Sequence, residues 1–194
     1  MMNGCPRWSF LTVPLLAALG CSDPVPRPAQ GNLTLSVKDP TGAKCPAVAK
    51  TYQIGNPDAP CINCTPNDAG DRLIDGNNNA TIKCAVNGNG PFTFSGTIQG
   101  LSKQSDKVTL TITNGTISAD KVTGTATVAV NTPQLAGTYV SAAGACTVAV
   151  VSNNVKPGSM WASITCPIIT LSSTGQTCAV GETTNFVLEN CEGT

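Results

Sequence analysis

Apolar residues recur at every second position along most of this chain after residue 32, and that period constrains the fold more than any other feature. Leu33, Leu35 and Val37 alternate with Thr34 and Ser36. Similar runs follow at 47–54, 81–86, 92–98, 108–112, 122–130, 138–141, 146–151, 160–166 and 185–189. A period of two puts one row of side chains inward and the other outward, which is the pattern of a half-buried strand. Threonine and valine fill these runs. Both are β-branched and stiff at χ1, and both suit a pleated surface. No stretch after the leader shows a helical apolar period. Asn87-Gly88-Asn89-Gly90-Pro91, Asn114-Gly115 and Pro157-Gly158 punctuate the runs, and Asn-Gly is a strong hairpin signal. The expectation is all-β: a single antiparallel β-sandwich of about ten short strands.

The start of the chain reads differently. Arg7 is the only charge in residues 1–20, and residues 10–19 (FLTVPLLAAL) form an apolar run of signal-peptide length, too short to span a bilayer. The run ends in Ala18-Leu19-Gly20-Cys21. These residues resemble the bacterial lipobox, with alanine at 18 where leucine is commonest. The resemblance implies cleavage before Cys21 and acylation of Cys21. Ser22, rather than aspartate, after the cysteine implies sorting to the outer membrane. Plain secretion is the alternative, because Ala18-Leu19-Gly20 also fits ordinary signal cleavage. Residues 22–31 (SDPVPRPAQG) carry Pro24, Pro26 and Pro28 and read as a semi-rigid tether. The expected organisation is a signal peptide at 1–20, a lipid-anchored proline-rich tether at 21–31 and a β-sandwich domain at 32–194. A subdivision near residue 133 is the alternative to one domain.

With Cys5 lost in the leader and Cys21 lipidated, eight of the ten cysteines remain: Cys45, Cys61, Cys64, Cys84, Cys146, Cys166, Cys178 and Cys191. An even number in an exported domain argues for a disulfide-stapled fold. The long gap between Cys84 and Cys146 suggests that each group of four pairs within itself, as Cys45–Cys84 and Cys61–Cys64 in the first. In the second group two schemes compete. Cys146 and Cys166 flank the turn around 154–158 and can meet across a hairpin. A last strand antiparallel to 145–152 would instead give Cys146–Cys191 and Cys166–Cys178, and this second scheme is preferred. The Cys61-Ile62-Asn63-Cys64 spacing also invites redox or zinc chemistry. Pro60 and Pro66 place it in a loop with no helix to lower a thiolate pKa, and no second close pair completes a zinc site.

The chain has no histidine, so Ser-His-Asp, Cys-His and histidine-metal chemistry are excluded. Lysine plus arginine and aspartate plus glutamate number 11 each, which leaves no basic excess for phosphate neutralisation and argues against nucleic acid as a partner. The densest polar stretch, 67–79, offers oxygen ligands for calcium. Asp75, Asn77 and Asn79 match the first three positions of an EF-hand loop, but Ala80 and Val86 stand where glycine and glutamate are required. A turn-rich loop is the preferred reading and a looser calcium loop the second; no other cofactor or metal is expected. Asp71 and Asp75 form an acidic pair in this loop, with Asp68 near. Phe92 and Phe94 share a face and belong to the core, whereas either Met160 or Trp161 faces outward. An outward tryptophan is a candidate sugar platform. Trp161, Asp71, Asp75, Asn77 and Asn79 are therefore the candidate ligand-binding residues.

Residues 155–162 (VKPGSMWA), Cys166-Pro167, Cys178 and 186–191 (FVLENC), with Asp75-Gly76 and Cys84, resemble uncharacterised secreted lipoproteins of myxobacterial type. The resemblance implies location and architecture and no activity. The function expected from the sequence is a non-enzymatic envelope lipoprotein displaying a structural or interaction module, with the membrane and an envelope protein or polysaccharide as partners. The alternative is an extracellular carbohydrate-binding module, calcium-assisted.

Overall fold

A computed structural model describes residues 26–40, 45–46, 50–55 and 72–193. The described residues contain no helix, as the period-two pattern requires. The strands are β1 (Gln30–Lys38), β2 (Lys50–Ile54), β3 (Leu73–Ile74), β4 (Thr81–Asn87), β5 (Phe92–Leu101) and β6 (Lys107–Ile117). They continue with β7 (Thr123–Asn131), β8 (Tyr139–Val140), β9 (Cys146–Lys156), β10 (Ser159–Leu171), β11 (Thr177–Val180) and β12 (Asn185–Glu189). All pair antiparallel. The short β3 and β11 are not expected from the pattern, because they carry too few residues to show a period.

One side of β1 pairs with β2 and β3, and the other with β12 and β11. Beyond β12 come β10, then β9 and β8 sharing one place, then β7, β6, β5 and β4. This single sheet curls until its two halves face each other. Phe94 of β5 stacks on Phe186 of β12 with ring centroids 6.3 Å apart. A Cβ on Gly96 of β5 would lie 2.9 Å from Leu188 of β12, and one on Gly31 of β1 would lie 3.4 Å from Ile82 of β4. The product is a β-sandwich with one core, in which Leu33, Tyr52, Leu110, Val148, Ile164 and Phe186 are fully buried. Tyr52 satisfies its hydroxyl by donating to Thr132 (3.3 Å). Strands before and after residue 133 share this sheet.

The sheet does not end in a bare β4 edge. The Val86 amide donates to the Glu192 carbonyl (2.8 Å), and the Glu192 amide to the Cys84 carbonyl (3.0 Å). This gives a parallel bridge between Ala85 and Glu192. The β9–β10 turn joins the cap: Gly158 donates to Val86 (2.9 Å) and Cys191 to Gly158 (2.9 Å). Gly193 must be glycine, because a Cβ there would lie 2.2 Å from the Gly158 nitrogen and 2.7 Å from the Val86 carbonyl. Pairing the edge in this way removes a template for aggregation.

The Asn114-Gly115 expectation is corrected. This dipeptide does not turn the chain; it lies inside β6, where Asn114 takes a left-handed φ of 51°. The register against β7 shifts between Thr113 and Thr116, so the dipeptide makes a β-bulge. The actual β6–β7 turn is at 118–122. There the Ser118 hydroxyl and the Val122 amide donate to the Asp120 carboxylate. The Asn87–Pro91 and Pro157-Gly158 turns are where the sequence placed them.

The disulfides are also corrected. The structure pairs Cys45 with Cys178, Cys84 with Cys191, and Cys146 with Cys166. Cys45–Cys84, Cys146–Cys191 and Cys166–Cys178 are not formed. Cys61 and Cys64 lie outside the described residues, as does Cys21. The gap after Cys84 does not partition the cysteines, because β1 lies against β12 and β11. The register Val37↔Val180 brings the chain beyond β1 to Cys178 on β11. The register Thr147↔Thr165 sets Cys146 opposite Cys166 across the β9–β10 hairpin, which is the scheme not preferred from sequence.

The disulfide loops differ greatly in length. Those spanning 107 and 133 residues constrain the unfolded chain more than the one spanning 20. By loop-closure entropy, Cys84→Ala with Cys191→Ala should cost about 4–5 kcal/mol, and Cys146→Ala with Cys166→Ala about 3 kcal/mol. Urea unfolding of the two double variants measures both, and a larger loss for the hairpin pair would refute the ranking. In the β6–β7 turn the Ser118 hydroxyl, followed by the Val122 amide, holds the Asp120 carboxyl below the usual aspartate range. Its stabilisation is present above the unfolded-state pKa and is lost as pH falls through the lower folded value. NMR titration should show Asp120 titrating below ordinary aspartate, and Ser118→Ala should return it toward the ordinary value.

Candidate functional site

Because β4, β5 and β6 bury alternate side chains, their remaining residues form an outward surface. On β5 these are Thr93, Ser95, Thr97 and Gln99; on β6 they include Thr109, Thr111 and Thr113. Cross-strand neighbours bond to one another. The Thr97 and Thr111 hydroxyls are 3.4 Å apart, and the Thr109 hydroxyl donates to Gln99 (3.4 Å). Such pairs stabilise a sheet modestly. They also leave each hydroxyl with spare bonding capacity, since it has one donor and two acceptor positions.

One β-bulge interrupts this surface. The Asn114-Gly115 bulge of β6 shifts the register against both neighbours, between Phe94 and Gly96 on the β5 side and between Thr113 and Thr116 on the β7 side. Bulges bend strands and re-aim side chains. Gly115 packs its backbone directly on the Phe94 ring, where a Cβ would approach to 2.5 Å. Beside these features lie two cavities. One of about 780 Å³ is lined by the outward residues Lys83, Ser95, Thr97, Thr111 and Thr113 and also by Ile82, Gly96 and Ile112 of the inward rows. One of about 410 Å³ is lined by Asn87, Thr93, Ser95, Asn114 and Thr116. Both include Ala85 and Ser95, so they form one groove across three strands. Arg27, Asp75, Lys83 and Glu192 place charges of both signs around the larger cavity.

The groove runs into a longer array. Thr93 pairs with Thr116, Thr116 with Thr125, Thr125 with Thr147, and Thr147 with Thr165. One threonine row thus crosses β5, β6, β7, β9 and β10. Its first four members are exposed and Thr165 is half-buried. The Thr116 and Thr125 hydroxyls are 3.3 Å apart.

The candidate residues read from sequence do not gather into one site. Asp75 lines the larger cavity, but one carboxylate oxygen accepts the Ile82 amide (2.8 Å), an ordinary turn bond. Asn77 and Asn79 are exposed in the same β3–β4 turn. Asn79 has a φ of 59° and Asn78 a φ of 49°, conformations that asparagine tolerates. Asp71 lies outside the described residues. Met160 faces the core, so Trp161 takes the outward face of β10, half-buried and paired with Val187 of β12. Trp161 does not line the groove. Among the described residues no group of three histidine, cysteine, aspartate or glutamate side chains is placed to hold a metal. Ser95, Thr97, Thr111 and Thr113 are not singled out by the sequence. Their alternation is visible there, but the adjacency and the bulge that join them are not.

Comparison with protein-family models, with curated proteins and with solved structures finds no match to the chain.

Asp75 acts here as a turn residue, so Asp75→Ala should lower stability by about 1 kcal/mol, the scale of one hydrogen bond. The loss should be the same in calcium and in chelator. A calcium-dependent rise in the melting temperature of the wild type alone would show instead that the carboxylate ligates metal.

Proposed function

We infer that this protein is a non-enzymatic lipoprotein of the bacterial envelope, anchored at Cys21, which presents a disulfide-closed β-sandwich as an interaction module. The observation that carries the reading is covalent closure. Two of the described disulfides tie distant parts of the chain together, one of them beside a capped sheet edge. Disulfides of this kind are compatible with an extracellular or envelope location and persist in an oxidising compartment. The lipobox-like Ala18-Leu19-Gly20-Cys21 supports the anchor, and Ser22 supports the outer membrane as its address. Pro26, Arg27 and Ala29 already line the groove, and Asn190 donates to the Pro28 carbonyl (3.3 Å). Only five residue steps then separate Cys21 from Pro26, at most about 18 Å of extended chain. The domain would sit close to the bilayer.

A second reading, an extracellular carbohydrate-binding module, is favoured by the hydroxyl-lined groove. It keeps the exported location and changes the partner from protein to glycan.

Intact-mass analysis of unreduced protein extracted from host membranes tests the anchor. The expected mass is residues 21–194 plus acyl chains, less two hydrogens per disulfide. An unacylated mass, from protein in the medium, would replace the anchored module with a freely secreted one. Asp75 and Glu192 both line the larger cavity, so a glycan assay should also record reducing ends. Their release, lost in Glu192→Gln, would overturn the non-enzymatic reading.

A further inference from the structure

We propose that the groove across β4, β5 and β6, continued by the threonine row over β7, β9 and β10, binds an extended, uncharged polysaccharide chain. The proposal rests on the carbohydrate reading above and gives it a site and a ligand class, away from Trp161. Four observations support it.

The first is the chemistry of the surface. Ser95, Thr97, Thr111, Thr113 and Asn114 offer donors and acceptors together, as the hydroxyls of a sugar do. Each threonine adds a methyl group beside its hydroxyl, matching the mixed C–H and O–H surface of a sugar ring. The second is charge. The row Thr93, Thr116, Thr125, Thr147 and Thr165 contains no ionisable residue. A polyanion would find nothing along it to neutralise its charge. Arg27 and Lys83 stand only at the larger cavity, with Asp75 and Glu192 beside them.

The third is the backbone. A peptide adding to a sheet needs a free strand edge. Strands β5 and β6 are paired on both sides, and β4 is capped at Val86 by Glu192 and Gly158. Recognition here must use side chains. The fourth is extent. Five strands at about 4.8 Å spacing give the row a length of about 19 Å, and the groove extends it at the β5 end. That is a track for several units of a linear polymer and more than one monosaccharide needs. Strand propensity alone explains outward threonine. It does not explain the β6 bulge at Asn114-Gly115, which shifts the register against both β5 and β7 at the head of the row, where the smaller cavity lies.

The test is native affinity electrophoresis of the full protein, disulfides intact, in a polyoxyethylene detergent that carries no sugar. Gels would contain a mixed-linkage glucan, a galactomannan, dextran, or alginate as the anionic control. Retardation is expected in at least one neutral gel. Ser95→Arg and Thr113→Arg should each weaken it about tenfold or more, the scale of one or two lost hydrogen bonds. Trp161→Ala should leave it unchanged. Both groove side chains face outward, and near-ultraviolet circular dichroism verifies folding; Thr113, which is exposed, serves if the Ser95 variant does not fold. Retardation abolished by Trp161→Ala but kept in both groove variants would overturn this site and leave the carbohydrate reading standing. Retardation in alginate alone, falling with salt, would overturn the uncharged ligand. Unretarded migration in every gel would overturn site and reading together.

Discussion

The pairing of β1 with β12 is the interaction on which the rest of this structure depends. Five residues near one end of the domain, Gln30 to Thr34, lie in register with Glu189 back to Asn185. Once they pair, β1 offers its other side to β2 and β3, and β12 offers its other side to β10. The curled sheet then has its two halves face to face. The residues just after β12 fall on the edge of β4, where they make the parallel bridge and the Cys84–Cys191 bond. The entropic cost of so long a loop is high, and the backbone pairing returns it only after closure. A disulfide at that point removes part of the cost by restricting the unfolded chain.

The groove is a local consequence of the same sheet. Regular antiparallel pairing presents even rows of outward side chains, here mostly threonine and serine. The bulge at Asn114-Gly115, which shifts β6 against both β5 and β7, breaks that regularity beside the groove. Phe94 packs against Gly115 on the core side and stacks on Phe186, and it also lines the smaller cavity. Changes to Phe94 would alter stability and surface shape together. Changes to Ser95 or Thr113 act on the surface.

Several features are legible in the amino-acid pattern alone. Alternation places Leu33, Leu35, Val37, Phe92 and Phe94 inward, and all five are buried. The glycine-rich break before Pro91 and the Pro157-Gly158 turn are also legible, since turn chemistry is local. Asn114-Gly115 misleads because the same left-handed asparagine serves a hairpin turn or a bulge. Only the neighbouring strand decides which, and here Thr116 and Ile117 continue pairing with Thr125 and Gly124. Trp161 is a reasonable platform by composition. Its place beside Val187 on β10, away from the groove, follows from strand order and is invisible in a one-dimensional pattern.

By itself the sequence determined the class and the two faces: strands throughout, threonine out, valine and leucine in. Those properties follow from φ/ψ sterics, side-chain branching and a two-residue period, all of which act within a few residues. Tertiary structure alone decided which cysteines meet, which strands are neighbours, and where outward hydroxyls line up in a row. Those outcomes depend on registers between segments that lie far apart in the chain. Cys45 reaches Cys178 because β1 lies beside β11, and Thr93 reaches Thr165 because four successive registers agree. A local pattern cannot encode such agreements, because many pairings bury the same apolar face and only the closed sheet satisfies them together.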